Sequence, residues 1–267
     1  MSMRGLGRAL IWLVAAGLSA LITVLAFLPA AWLAPLLESR TGGRLTLGDA
    51  QGSLWQGSAF IGAAPSGKDA VAALLPGRFT WHLSPQVLFG RVDATLENAQ
   101  VLSNKVSIRG SWSEWTVSPS SMLLPAERLS ALGAPLNTLQ PSGKMQLSWQ
   151  QLTLARTKVG GGDGIALNGG MTLDLLAMAS RMSPVKPLGS YRMQLDWQGT
   201  QAALTLTTLG GAMLLNGSGK LQDGHFQFSG TAEAAAGQEE KLATLLSLLG
   251  QRRQINGRNV IGLEFKS

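Results

Sequence analysis

The feature that most constrains the fold of this 267-residue chain is an alternation of apolar and polar residues with a period of two. Phe79, Trp81 and Leu83 alternate with Thr80 and His82. The same pattern recurs over residues 92–97, 106–109, 145–150, 191–198 and 226–229. Because successive side chains of a strand point to opposite faces, each segment predicts a strand with one apolar face. Strands of this kind are typical of an antiparallel sheet that is covered on one side only.

Turn signals separate the alternating segments. Pairs such as Asn216–Gly217 and Asp223–Gly224 favour tight hairpins, because both residues tolerate a positive φ. Helical spacing of four leucines predicts a helix over Glu239–Leu249, and a shorter helix is expected over Pro125–Leu132. The sequence therefore predicts a mainly β fold, a curved antiparallel and hairpin-rich sheet with one or two short helices packed on it. Prolines and glycine suggest a hinge near residues 132–143.

The N-terminal segment 9–28 contains no charged residue and is almost wholly apolar. Roughly 20 apolar residues are needed to cross a bilayer as a helix, so this run predicts a transmembrane anchor. Arg4 and Arg8 precede it, and the positive-inside rule then places residues 1–8 in the cytoplasm and the β-rich domain 29–267 in the periplasm. The alternative is a signal peptide that is cleaved near Ala30–Ala34.

Charge and cysteine content exclude several function classes. The net charge is +7, but Lys and Arg are scattered and no run exceeds Arg252–Arg253, so a nucleic-acid groove is not expected. The chain has no cysteine, which excludes disulfides and thiolate catalysis. His82 and His225 fall on polar faces of predicted strands. Ser183 and Lys186 have the S-x-x-K spacing of a catalytic serine motif, but no second motif of that class accompanies them. We therefore expect no enzyme activity, cofactor, metal or small-molecule substrate.

The tryptophans divide into two groups by their surroundings. Trp81, Trp149 and Trp197 fall on apolar faces and are expected in the core. Trp55, Trp112 and Trp115 stand in Gly- and Ser-rich segments instead. Since partly exposed tryptophan is enriched at protein interfaces, these three residues are the candidates for contact with a partner.

Several segments together resemble one known family. They are Pro29–Leu33, Thr41–Leu45, Asp49–Ala59, Pro141–Trp149, Pro187–Arg192, Leu204–Gly211 and Leu245–Arg252. The chain is similar throughout to the type II secretion system protein N family, most specifically in the Gly-Ser-Leu-Trp-Gln-Gly and Pro-Leu-Gly-Ser-Tyr stretches. The resemblance implies an accessory inner-membrane component of the machinery that exports folded periplasmic proteins, and it carries over no catalytic residue.

Two functional hypotheses remain from the sequence. In the first, the sheet is an interaction surface for other type II secretion components, such as the secretin or the inner-membrane platform, and a strand edge accepts a partner strand. In the second, an open apolar face binds lipid or another hydrophobic ligand, as in AsmA-like transfer proteins. Whether helices cover the apolar face should distinguish the two hypotheses.

Overall fold

A computed structural model of the chain describes residues 3–43, 45–63, 72–127, 140–159, 162–222, 225–255 and 258–266. The α-helices in these ranges are α1 (Met3–Ala26), α2 (Leu33–Thr41) and α3 (Glu239–Leu249). Two 3-10 helices span Ala30–Trp32 and Pro85–Phe89.

Seventeen strands within these ranges form a single sheet. The strands of the N-terminal half are β1 (Leu45–Gly52), β2 (Gln56–Ala63), β3 (Ala72–Ala73), β4 (Phe79–Leu83), β5 (Arg91–Glu97), β6 (Val106–Ser111), β7 (Glu114–Val117) and β8 (Ser120–Pro125). Those of the C-terminal half are β9 (Pro141–Trp149), β10 (Leu152–Val159), β11 (Gly162–Ser180), β12 (Gly189–Gly199), β13 (Gln201–Gly211), β14 (Met213–Gln222), β15 (His225–Ala234), β16 (Gln251–Ile255) and β17 (Arg258–Lys266).

The sheet is an antiparallel meander in which most strands pair with their neighbours in sequence. β2 pairs with β1 and β4, and the order continues through β5 and β6 to β7. β7 then pairs with β10 and β8 with β9, while the long strand β11 pairs with β10 along its first half and β9 along its second. From β11 the meander runs to β15. There the order changes, because β17 pairs with β15 and leaves β16 outermost.

One face of this sheet is apolar from end to end. Apolar residues lie opposite one another on neighbouring strands. For example, Met171 on β11 is paired with Trp149 on β9 and with Leu195 on β12. Two clusters of buried residues lie on this face. The first contains Leu75, Phe79, Val101, Leu102 and Val106 in the N-terminal half. The second contains Leu188, Tyr191, Leu206, Met213, Ala232, Leu242, Leu245, Leu246, Ile261 and Leu263 in the C-terminal half.

Helix α3 covers the second cluster and confirms the helix predicted over Glu239–Leu249. Leu242, Leu245 and Leu246 are buried because they share the face of α3 that meets the sheet. Burial also raises the pKa of the Tyr191 phenol, whose hydroxyl donates a hydrogen bond to the Met213 carbonyl at 3.0 Å. The mainly β, antiparallel prediction is therefore confirmed, with a helix packed on the apolar face.

The prediction of a transmembrane anchor near the N-terminus has a different outcome. Over the residues that the structure describes, none of the helices combines the length and the apolar character that crossing a bilayer requires. The transmembrane segment predicted over residues 9–28 is thus not confirmed.

Two further predictions fall at the boundary of the described residues. Pro125, expected to begin a short helix, is the last residue of β8, and residues 128–132 lie outside the described ranges. Most of the hinge expected near 132–143 also lies outside them, and β9 begins at Pro141.

The hairpin turn predicted at Asn216–Gly217 is wrong, since both residues lie within β14. The aromatic ring of Phe228 on the neighbouring strand explains why. A Cβ atom on Gly217 would lie 2.5 Å from Cζ of Phe228, and one on Gly230 would lie 3.0 Å from its Cε1. The glycines therefore leave room for a ring that packs against the second cluster, and they do not mark a turn.

This packing predicts the effect of a single methyl group. Gly217→Ala should lower the free energy of unfolding by about 1–3 kcal/mol, because the added Cβ would lie 2.5 Å from Cζ of Phe228 and 2.8 Å from backbone atoms of Ser229 and Gly230. Gly170→Ala is the matched control, since Gly170 also lies within a strand and a Cβ added there would meet no atom within 4 Å. Thermal unfolding of the purified full chain in detergent would measure both, and equal effects would contradict this account of Phe228.

Candidate functional site

The segment Asp49–Gly57, which turns the chain from β1 into β2, binds the C-terminal end of α1. The indole Nε1 of Trp55 donates a hydrogen bond to the Leu25 carbonyl at 2.7 Å. The Leu54 amide donates to the Leu28 carbonyl, also at 2.7 Å. The carbonyls of the last turn of a helix lack partners within the helix, so Trp55 satisfies a group of Leu25 that would otherwise need water, while Leu54 binds the chain two residues beyond α1. We call this arrangement the junction.

The turn inside the junction is tightly closed. Gly52 has a φ of 83°, which favours glycine, and a Cβ there would lie 3.1 Å from the Cα of Gly57. The Ser53 amide donates to the Gln56 carbonyl at 2.8 Å, and the Ser53 hydroxyl accepts from the Gln56 amide at 3.1 Å. Pro29 then pairs with Ser53 as an isolated β-bridge, which extends the contact beyond the helix.

Strand β4 supports the junction from the other side. Nε1 of Trp81 donates to the Leu54 carbonyl at 3.0 Å, and the Leu83 amide donates to the Trp55 carbonyl at 2.7 Å. Gly57 is needed beside this ring, because a Cβ there would lie 2.5 Å from Cζ2 of Trp81. Strand β4 therefore holds the turn through one side-chain donor and one backbone donor.

An ion pair fixes the bulge in β1 that precedes the turn. The register between β1 and β2 shifts between Gly48 and Gln51, and Asp49 within this bulge has a φ of 48°. Arg78 forms an ion pair with Asp49 and donates from Nη1 to the Asp49 carbonyl at 2.9 Å. A hydrogen bond from Gln51, followed by the one from Arg78, lowers the pKa of the Asp49 carboxyl below its usual value. The guanidinium also lies 4.7 Å from the ring centroid of Phe60.

The structure places the three candidate tryptophans in different settings. Trp55 is half-buried in the junction. Trp112 is 54% exposed on the turn after β6, and its Nε1 donates to the Val87 carbonyl at 2.5 Å. Trp115 is half-buried on the apolar face, registered with Gly110 and Leu154. Trp55 and Trp112 thus lie on turns at the same end of the strands, whereas Trp115 lies on the apolar face of the sheet.

Neither the Asp49–Arg78 pair nor the 3-10 helix Pro85–Phe89 was identified from the sequence. The only sequence signal for the junction was the Gly-Ser-Leu-Trp-Gln-Gly stretch, which forms its core.

The two edges of the sheet differ in how they are covered. Beside β1, the Thr41 hydroxyl accepts a hydrogen bond from the Leu45 amide at 3.1 Å, and Thr46 donates to Glu38 of α2. At the other edge, β16 pairs with β17 alone among the pairings of the described residues. An edge strand of this kind presents unpaired backbone donors and acceptors.

The polar residues considered for chemistry are not brought together. Ser183 is buried and bonds locally, with its hydroxyl accepting from the Val185 amide at 3.1 Å. His82 lies on β4 beside the junction, whereas His225 begins β15. Within the described ranges, no group of three His, Asp or Glu side chains is placed to hold a metal ion.

Comparison with known proteins gives one match. A family model described as type II secretion system (T2SS), protein N, matches residues 43–261. None of the curated proteins and none of the solved structures matches the chain.

The junction predicts a narrow distribution of distances between α1 and the sheet. Because the chain has no cysteine, spin labels can be attached to Thr23→Cys and Gln86→Cys, both at exposed positions. Trp55→Phe removes a hydrogen bond worth about 1 kcal/mol and should broaden the distance distribution measured by pulsed electron paramagnetic resonance. Trp115→Phe, a tryptophan outside the junction, should leave the distribution unchanged. An unchanged width in Trp55→Phe would show that the junction does not hold the helix.

Proposed function

Since the chain belongs to the type II secretion system protein N family and is a component of that system, we propose that it is an accessory inner-membrane subunit that docks other secretion proteins. Its partners are the secretin or the inner-membrane platform. The β-rich domain lies in the periplasm and supports the export of folded proteins across the outer membrane. The strand edge at β16 is the observation that carries the docking role.

The proposed membrane attachment is supported by α1. Its apolar side chains are exposed from Trp12 onward, including Leu13, Leu18 and Ile22. A helix with apolar side chains on all sides is stable only when an apolar environment covers it. Arg4 and Arg8, which lie in α1 ahead of its apolar stretch, favour a cytoplasmic N-terminus.

The docking role rests on backbone chemistry at β16. A partner strand that adds to this edge would extend the sheet by main-chain hydrogen bonds, while side chains set the specificity. Arg252 and Arg253 are exposed on β16, and Arg253 forms an ion pair with Glu264 at 2.8 Å. Positive charge on an edge strand hinders pairing between two copies of the same edge. The same charge favours a partner strand that carries Asp or Glu.

We further propose that the chain has no enzymatic activity of its own. Ser183 is engaged in a local turn, and the two histidines lie on separate strands. Substituting His82, His225, Ser183 or Lys186 by alanine should accordingly leave secretion intact.

Site-specific photo-crosslinking in secreting cells tests the docking edge. A crosslinker at Gln254, exposed on β16, should yield an adduct with another secretion component. The same crosslinker at Gln194, exposed within β12 in the middle of the sheet, is the matched control and should yield none.

A charge reversal at the edge provides the functional measurement. Arg252→Glu should reduce the Gln254 adduct and leave folded exoproteins in the periplasm, because it repels the acidic partner strand. Lys220→Glu reverses an exposed charge on β14 and should have no such effect. Normal secretion in a stable Arg252→Glu variant, with the adduct retained, would contradict docking at this edge.

A second candidate function, binding of an apolar ligand, is favoured by one part of the apolar face. Leu195 and Trp197 near the end of β12 are half-buried, and Phe265 on β17 is exposed. Nε1 of Trp197 is buried and has no hydrogen-bond acceptor among the described residues. This part of the face lies at the opposite end of the strands from α3.

Lipid analysis separates the two functions. If the face binds lipid, the full chain purified in detergent should carry phospholipid that is detected by mass spectrometry. Leu195→Asp should then remove the lipid, whereas Gln194→Asp, on the polar face, should retain it. If docking is the function, both variants should secrete normally and no stoichiometric lipid should be found.

A further inference from the structure

An exposed apolar tip projects from the sheet beside the junction. It consists of Leu88 and Phe89 at the end of the 3-10 helix, together with Trp112 on the adjacent turn. Their side chains are 46%, 89% and 54% exposed. Three large apolar side chains exposed on two adjoining turns are more than the isolated exposed residue that needs no explanation.

The tip is held in a defined conformation. The Ser84 hydroxyl accepts from the Gln86 amide at 3.3 Å, and the Ser84 amide donates to the Asp93 carbonyl at 2.8 Å. Gly90, with a φ of 88°, ends the 3-10 helix immediately after Phe89. The bond from Trp112 to the Val87 carbonyl then ties the second turn to the first. The Phe89 side chain is therefore exposed on a scaffold that is itself well bonded.

The tip lies next to the last turns of α1. Pro85 and Leu88 line one recess together with Ile22, Leu25 and Trp55. Trp55 links the two elements directly, because its indole binds the Leu25 carbonyl while its own carbonyl accepts from Leu83, two residues before the 3-10 helix. The tip is thus fixed at the level at which α1 meets the sheet.

The chemistry of the tip fits a lipid surface better than a charged partner. Arg91 and Glu114, one of each sign, are exposed beside it, so charge selects no anionic or cationic ligand. Phenylalanine and leucine favour the acyl region of a bilayer, and tryptophan favours its interface, where the ring is apolar and the indole N–H remains bonded. Trp112 keeps that bond within the protein.

We propose that Leu88, Phe89 and Trp112 insert into the surface of the bilayer in which α1 is anchored, and so form a second point of membrane attachment. This inference rests on the proposed membrane location of α1. Two points of attachment, one at the helix and one at the tip, restrict the tilt of the sheet relative to the membrane. A helix anchored alone can still tilt within the bilayer, and the sheet that the junction holds to it would tilt with it.

Fluorescence in phospholipid vesicles tests the proposal. The full chain is reconstituted into vesicles of phosphatidylethanolamine and phosphatidylglycerol with an environment-sensitive dye on Phe89→Cys. We expect the dye emission to shift to shorter wavelength and to be quenched by lipids that carry a doxyl group near the headgroup. Leu209→Cys, at an exposed residue of β13, is the matched control and should show neither effect.

A third label distinguishes the membrane contact of the tip from the membrane location of α1. Leu18→Cys places the dye on an exposed position of α1. If Leu18 is quenched by doxyl lipid and Phe89 is not, the membrane contact of the tip is overturned while the location of α1 stands. If neither is quenched, the proposed membrane location fails and the inference fails with it. A crosslinker at Phe89 that captures a secretion protein in cells, with no lipid quenching, would assign the tip to protein docking instead.

Discussion

The hydrogen bonds from Trp55 to the Leu25 carbonyl and from Leu54 to the Leu28 carbonyl attach the sheet to α1 and to the segment that follows it. Both bonds are made to backbone carbonyls, and the Ser53 turn that supplies them is closed by further backbone bonds. Arg78 and Asp49 hold the bulge before the turn, and Trp81 holds the turn from β4. Because both donors lie in a turn that is closed on itself and bonded to β4, α1 joins the sheet through a hydrogen-bonded corner.

The meander order of the strands determines where the sheet has unpaired edges. A sheet in which neighbours in sequence are neighbours in space leaves an edge near each terminus, and α2 contacts the first two residues of β1 at one of these edges. The return of β17 to β15 places β16 at the other edge, with its outer backbone groups unpaired in the described structure. The same strand carries Arg252 and Arg253, and positive charge there hinders pairing between two copies of this edge.

The strands were predictable because burial of one face imposes a period of two, which Tyr191–Trp197 on β12 shows directly. The helix Glu239–Leu249 was predictable because its leucines share one face. The placement of Asn216–Gly217 inside a strand was not predictable, because the ring of Phe228 on the next strand takes the space at Gly217. The junction was not predictable either, because Trp55 and Leu25 are 30 residues apart and a bond to a backbone carbonyl leaves no pattern in the sequence.

We expect secretion to depend on attachment of the sheet to α1 through the junction, and not merely on tethering of the sheet to the membrane. A Gly/Ser insertion between Ala26 and Phe27, combined with Trp55→Phe to remove the bond to Leu25, would uncouple α1 from the sheet while keeping the tether. We predict that cells whose only copy carries both changes release less exoprotein into the medium, with the protein present in normal amounts. The same insertion between Gly199 and Thr200, in the turn between β12 and β13, should leave release unchanged. Full release with the first insertion would contradict the account.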